Sequence, residues 1–266
     1  MKRLKHILLL IILCLTSVCA KGIEHENIFR IHFGGIWQQD QYLSPLLYDG
    51  LSAGIGNEWW QAFSRHENWS HVGKVYLTGG YMRNTKRSNA IHFYDIRGGW
   101  GTDHAWKWPN IGIQLLVGPY LNAEIQLKSI NNNVNKPYSF DIAIDAMAQV
   151  GIAYVFKAAH SSYRLRYIIH ANVIGIDFMP DYWQSYYELS EGVKGNIRCS
   201  GMWNHRTLQH ELTLDMQLPH STWRFGIEHQ YIEYGATHLW FSKEHVCAIV
   251  GICWHYETKH NKAYAL

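Results

Sequence analysis

Several side-chain patterns could do chemistry if the fold brought them together. His160-Ser161-Ser162 sets a potential base beside potential nucleophiles. Acyl-transfer chemistry needs such a pair in hydrogen-bond reach, with a third polar group orienting the His. Small polar residues around a short connection satisfy a turn equally well, and a turn is the expectation here. Asp141 and Asp145 stand four apart. On an extended strand that is about 13 Å, too far to share one task unless a neighbouring strand supplies the partner. The 17 histidines show no H-x-x-x-H spacing and no cysteine partner at zinc-finger spacing. Singles such as His66, His71, His104 and His238 therefore read as surface or interfacial polar groups, and neither metal nor cofactor is assigned. A phosphate loop, a nucleophile elbow and a redox cysteine pair are also missing from the sequence.

The densest polar pattern comprises Arg164, Arg166, His170 and Asn172, with Glu211, Asp215, Arg224 and Glu228 further along the chain. Each falls on the polar side of an alternating segment. Such residues could orient a substrate or anion inside a lumen. They could equally pair across strands as lumen packing, which is the expectation.

The elements that carry them are strands. From Thr207 to Leu218 the apolar set Leu208, Leu212, Leu214, Met216 and Leu218 is interrupted only by His210, while the intervening residues are all polar. A period of two over that length is a strand with one apolar and one wet face. The alternation recurs over 29–37, 111–128, 141–157, 163–173, 223–231 and 245–257. Many of these segments exceed the 5–6 residues usual in soluble strands and suit a tilted membrane crossing of about 9–11 residues. Aromatics gather near their ends (Trp37, Trp59, Trp223, Trp254, Tyr256), as interfacial girdles do. The wet faces carry both signs of charge, unusual for a sandwich core and natural for a lumen. The segments number 11 or 12. Even counts are the rule, so twelve strands are expected, with ten as the alternative. The uncertain stretch is Pro180 to Asn204, where Tyr182 to Leu189 reads as strand or as surface loop. Tight connections fall at 65–71, 158–162 and 219–221, and longer ones at 40–50, 129–137 and 176–184. Trp60 and Tyr120 should point inward and help to fill a narrow interior.

Export is written at the N-terminus. Lys2, Arg3 and Lys5 precede the apolar run Ile7 to Leu15, and Val18-Cys19-Ala20 forms a cleavage site before Lys21. The run is too short to span a bilayer, so residues 1–20 read as a Sec signal peptide and 21–266 as one barrel domain. Those first twenty residues hold three of the 24 Lys+Arg and none of the 21 Asp+Glu, which leaves 21 of each sign. That balance offers no electrostatic footprint for nucleic acid. Cys199, Cys247 and Cys253 remain after the signal; an odd count at wide spacing is no disulfide framework, and they read as small, largely buried side chains.

Three groups of residues carry a family resemblance: Tyr42-Leu43-Ser44-Pro45-Leu46-Leu47-Tyr48-Asp49-Gly50, Ser185-Tyr186-Tyr187-Glu188, and Gly195-Asn196-Ile197 followed by His205-Arg206-Thr207-Leu208-Gln209-His210-Glu211-Leu212-Thr213-Leu214-Asp215. In that order they resemble an uncharacterised family of outer-membrane β-barrels from Bacteroidota, known as a domain of unknown function. The resemblance implies a barrel in the outer membrane and implies no catalytic or binding residue. The expected partners are outer-membrane lipid and, during insertion, the barrel-assembly machinery. The leading expectation is a narrow, side-chain-filled barrel with a structural, surface-interaction or minor transport role. A lipid-modifying or lipolytic barrel enzyme and a soluble periplasmic β protein are the alternatives.

Overall fold

The computed structural model describes residues 24–63, 66–130, 138–158, 161–178, 196–218, 221–236 and 239–257. Within them the chain forms eleven strands: β1 (Glu24–Asp40), β2 (Ser44–Phe63), β3 (His66–Asn84), β4 (Ala90–Trp108), β5 (Ile113–Ile130), β6 (Tyr138–Ala158), β7 (Ser161–Phe178), β8 (Ile197–Gly201), β9 (His205–Gln217), β10 (Thr222–Ala236) and β11 (Leu239–Glu257). Ten of them close a ring of antiparallel neighbours, β1 to β7 and then β9 to β11, with β1 hydrogen-bonded to β11 along its whole length. Closure leaves no unpaired edge, the condition for placing a sheet in hydrocarbon.

The expected count of twelve is corrected to the alternative, ten. The difference lies in the uncertain stretch. Residues 179–195, and with them Tyr182 to Leu189, lie outside the described residues. Strand β8 pairs only with the last turn of β7 (Ile174–Phe178), on the side that β9 occupies lower down. It therefore shares a place with β9 and widens the ring by nothing. Between the two, residues 202–204 leave the sheet. The gap is filled by a side chain: Asn172 Nδ2 donates to the His205 carbonyl at 2.6 Å, and its Oδ1 accepts from the Thr207 amide at 2.9 Å. Asn172 is 1% exposed, so it stands in for a missing ladder residue. Asn172→Ala leaves two buried backbone groups unpaired and should cost about 1–3 kcal/mol. A lowered unfolding midpoint in detergent is the expected reading, and an unchanged one would remove this role.

Period-two alternation places most side chains, broken in β7 by a bulge that turns both Val173 and Ile174 outward. Even-numbered residues of β1 point into the lumen and odd ones outward: Arg30 is 0% exposed, while Ile31 is 53% exposed. The outward rows carry Phe29, Phe33, Leu51, Ile55, Leu77, Ile96, Ile125, Ile152, Leu212 and Ile227 in the open. A sandwich would bury this face. A barrel turns it to lipid and puts the charges inside. With thirteen to twenty-one residues in each strand of the ring, the wall is taller than the hydrocarbon requires. Trp37, Trp69, Trp100, Trp106 and Trp254 are exposed on it, and His71 and His104 pack against Trp100, Trp69 and Trp106 there.

The connections differ at two places from the sequence expectation. Strand β2 already begins at Ser44, so only 41–43 separate it from β1 in place of the expected 40–50. Likewise β3 begins at His66, inside the expected 65–71 turn. Pro45 is tolerated because it sits at the very start of a strand, where a missing N–H matters least. The β2–β3, β4–β5, β6–β7 and β9–β10 connections share a rim with the two ends of the described chain. The ends of β5 (Ile130), β6 (Tyr138) and β7 (Phe178) lie at the opposite rim, the outer one by the short-turn, long-loop asymmetry of such barrels. Near that rim an apolar cluster fills part of the interior, with Tyr42 and Leu43 of the β1–β2 turn packed among Ile36, Tyr48, Met82, Phe93, Ile130 and Phe241. Cys247 and Cys253 are buried and unpaired, as expected, whereas Cys199 on β8 is exposed because strand parity turns it outward.

Candidate functional site: an ionic lattice in the lumen

The lumen is organised around two arginines that are 0% exposed, Arg30 on β1 and Arg224 on β10. Arg224 grips Asp215 with a two-pronged contact, Nε to Oδ1 at 2.6 Å and Nη2 to Oδ2 at 2.8 Å. Its Nη1 donates to Glu58 Oε2 at 2.8 Å, and Nη2 also reaches Glu26 at 3.3 Å. The planar guanidinium suits this fork-on-carboxylate geometry, and the charge assistance makes such bonds stronger than neutral ones. Arg30 donates to Glu58 Oε1 at 2.9 Å and to Glu228, which also accepts from Arg97. The Tyr76 ring lies 3.8 Å from the Arg30 guanidinium and 4.8 Å from that of Arg97, and its hydroxyl donates to Glu58 at 2.9 Å. Lys74 completes the centre by donating to Glu211 at 2.7 Å. Nearer the inner rim, Arg164 bonds Asp215 at 2.6 and 2.9 Å and Glu26 at 2.5 Å.

Two smaller clusters tie opposite walls together. Lys243 of β11 bonds Asp95 of β4 and Glu124 of β5, each at 2.6 Å. Lys128 of β5 is shared between Asp40 of β1 and Asp141 of β6. In a ring of ten, β1 and β5, or β11 and β5, are far apart around the circumference, so these bonds cross the interior. Long charged side chains from the whole circumference thus occupy the middle of the lumen.

All eight residues expected on the wet faces turn inward. Arg164, Asp215 and Arg224 meet directly, and Arg166 approaches Glu211 at 3.7 Å. Glu228 instead serves Arg30 and Arg97. His170 and Asn172 are apart from the charges: His170 Nε2 pairs with Gln149 Oε1 at 2.7 Å against the Tyr120 ring, and Asn172 patches the wall as described. Half of the lattice comes from the first four strands: Glu26, Arg30, Glu58, Lys74, Tyr76 and Arg97 were not singled out in the sequence. For most of them the signal was present, since Lys74, Tyr76 and Thr78, and Asp95 and Arg97, each stand two residues apart on one face. Tyr120 fills the lumen as expected, 4% exposed, and Trp60 shares its inward orientation. His160 of the His-Ser-Ser run lies outside the described residues, and Ser161 and Ser162 open β7.

The fold and this interior define the class as an outer-membrane-type β-barrel with a charged, side-chain-filled lumen. More narrowly, the chain belongs to the family described as protein of unknown function (DUF3316), whose model matches residues 8–255. No curated protein matches it. Among solved structures it is similar to the outer membrane protease OmpT of Escherichia coli, at a TM-score of 0.52 and 7% identity, covering 91% of this chain and 100% of that one. The transport unit of the autotransporter AIDA-I from Escherichia coli follows at 0.45 and 8% identity, covering 91% and 92% of the two chains. The translocator domain of NalP from Neisseria meningitidis follows at 0.39 and 10%, covering 91% and 92%. At such identities the first likeness shows a shared barrel fold.

Proposed function

We propose that this chain is an exported outer-membrane barrel whose lumen is held shut by its ionic lattice, so that it works through its wall and outer face and not as an open pore. The observation that carries the reading is the complete burial of Arg30 and Arg224 among Glu26, Glu58, Asp215 and Glu228, in the inner half of a barrel only ten strands around. Breaking such a lattice exposes unpaired charge, which opposes spontaneous opening. Residues 1–20 act as the Sec signal, mature protein begins at Lys21 as a single barrel domain, and the assembly machinery inserts it among outer-membrane lipids. The family's setting in Bacteroidota, from the resemblance of the Tyr42–Gly50 and His205–Asp215 stretches, belongs to this reading.

Two measurements test it. The protein should fractionate with the outer membrane, start at Lys21 on N-terminal sequencing, and migrate faster before boiling than after. Reconstituted in a planar bilayer, the same heat-modifiable material should add no conductance steps to the baseline. Stable open-channel steps from wild-type protein would overturn the closed lumen.

A further inference from the structure

The central lattice matches cations to carboxylates; the outer third of the lumen does not. There a cleft lies between β5, β6, β7, β9, β10 and β11, lined by Glu124, Asp141, Asp145, Asp177, His205 and Tyr234 among others. Two of its carboxylates are already served, Asp141 by Lys128 and Glu124 by Lys243. Asp177 has Arg198 of β8 at its register position. Asp145 has no such help. It is 1% exposed, and among the described residues the charges that reach it are those of Glu124 and Asp177, of its own sign.

The polar atoms around Asp145 are also unfilled. Asp145 Oδ1, Asp177 Oδ1, Ser200 Oγ and His205 Nδ1 are buried without a hydrogen-bond partner. His205 Nδ1 stands 3.9 Å from Asp145 Oδ1 and 3.7 Å from Asp177, too far for a direct bond and right for an inserted donor. Its other nitrogen pairs with Thr207 Oγ1 at 3.0 Å, which holds the ring in place. Gly175 makes the room: a Cβ there would sit 2.4 Å from Asp145 Oδ1 and 2.9 Å from Ser200 Oγ. Asp145 and Asp177 thus each bring a buried carboxylate oxygen with no donor among the described residues, and a donor that carries positive charge would satisfy both. Tyr234 and Phe241, stacked 4.4 Å apart in the same cleft, add an apolar wall suited to an alkyl stem. An apolar wall beside the carboxylates turns the choice to an organic cation.

We propose that this cleft binds a small organic cation, an amine or guanidinium, with Asp145 as its principal counter-charge and Asp177 and His205 completing the acceptor set. The inference goes beyond the closed-lumen reading and does not need it: a barrel that conducts and still binds the probe loses that reading and keeps this one.

The test is titration calorimetry on full-length mature protein in detergent, verified as heat-modifiable. Agmatine and acetyl-Gly-Arg-Gly-amide are the probes, and the citrulline version of the peptide is the uncharged control. Saturable binding of agmatine or the arginine peptide, with none of the citrulline peptide, is expected. Agmatine alone would identify a free small amine, and the arginine peptide binding as well would identify a basic side chain. Asp145→Asn should weaken binding at least about tenfold, or about 1.4 kcal/mol. If that variant does not fold, the comparison of charged with citrulline peptide on wild-type protein decides alone. Absence of saturable heat, equal binding of the neutral peptide, or undiminished binding by folded Asp145→Asn would each overturn the proposal.

Discussion

Arg224→Ala should cost about 3–5 kcal/mol of barrel stability, the largest effect expected from a single side chain in this molecule. The reason is geometric. Arg224 is 0% exposed and touches Asp215, Glu58 and Glu26 at once. Truncation leaves their charge in the lumen without its main partner, and the cavity gives water an imperfect route to replace it. Arg164 still reaches Asp215 and Glu26, and Arg30 still reaches Glu58, so the loss is bounded and not total. Arg224→Lys should recover only part of it, because one ammonium cannot reproduce the fork on Asp215. The measurement is a urea unfolding curve in lipid vesicles, followed by the heat-modifiable band. Equal stability of wild-type and Arg224→Ala protein would show that the lattice is not what holds the barrel shut. If the variant instead stays folded and begins to conduct, the lattice is the seal itself.

The second large effect lies on the opposite face of the same wall. Ile31 points outward, 53% exposed, and its register neighbours Ile55 and Val250 do the same. Phe225, next across from Val250, extends the row. If lipid covers this row, Ile31→Arg must bring a guanidinium to the hydrocarbon, at ~2–4 kcal/mol near the midplane and much less toward the interfaces. If water covered it, the same change would be nearly free. Folding free energies of Ile31→Arg and Ile31→Gln in vesicles separate the two cases. A loss of less than about 0.5 kcal/mol for the arginine, the usual scale of harmless surface changes, would contradict a lipid-facing row. Because the neighbouring inward residues Arg30 and His32 are untouched, the lattice is not involved.

Legibility differed between these two faces for a physical reason. Which residues turn inward on β1, β5, β6, β9, β10 and β11 follows from a period of two, a property of the strand itself. Arg224, Glu228, Glu211 and Asp215 could therefore be placed on the wet side from their own segments alone. Strands β2 to β4 were harder to read, since glycines such as Gly50, Gly54, Gly56, Gly98 and Gly99 occupy positions that would otherwise declare a face. There the wet side includes Tyr48, Met82 and Phe93, packed inside because an apolar cluster fills part of the lumen near the outer rim.

The local alternation, the aromatic-rich strand ends and the balance of charge are all written in the order of residues, and they determine a β-barrel with a polar interior. How many strands close the ring is not written there. It depended on whether 197–201 widened the ring or lay above β9, which a detour of three residues decided. Nor could the order of residues say that Glu228 would serve Arg30 and Arg97 while Asp215 served Arg224 and Arg164. Those partners lie up to 198 residues apart, and only closure and register bring them within bonding distance. Asp145 shows the same division most sharply. Its face was legible from its own strand, but that no cation among the described residues reaches it is a property of the assembled lumen, where charge is counted across walls and not along a chain.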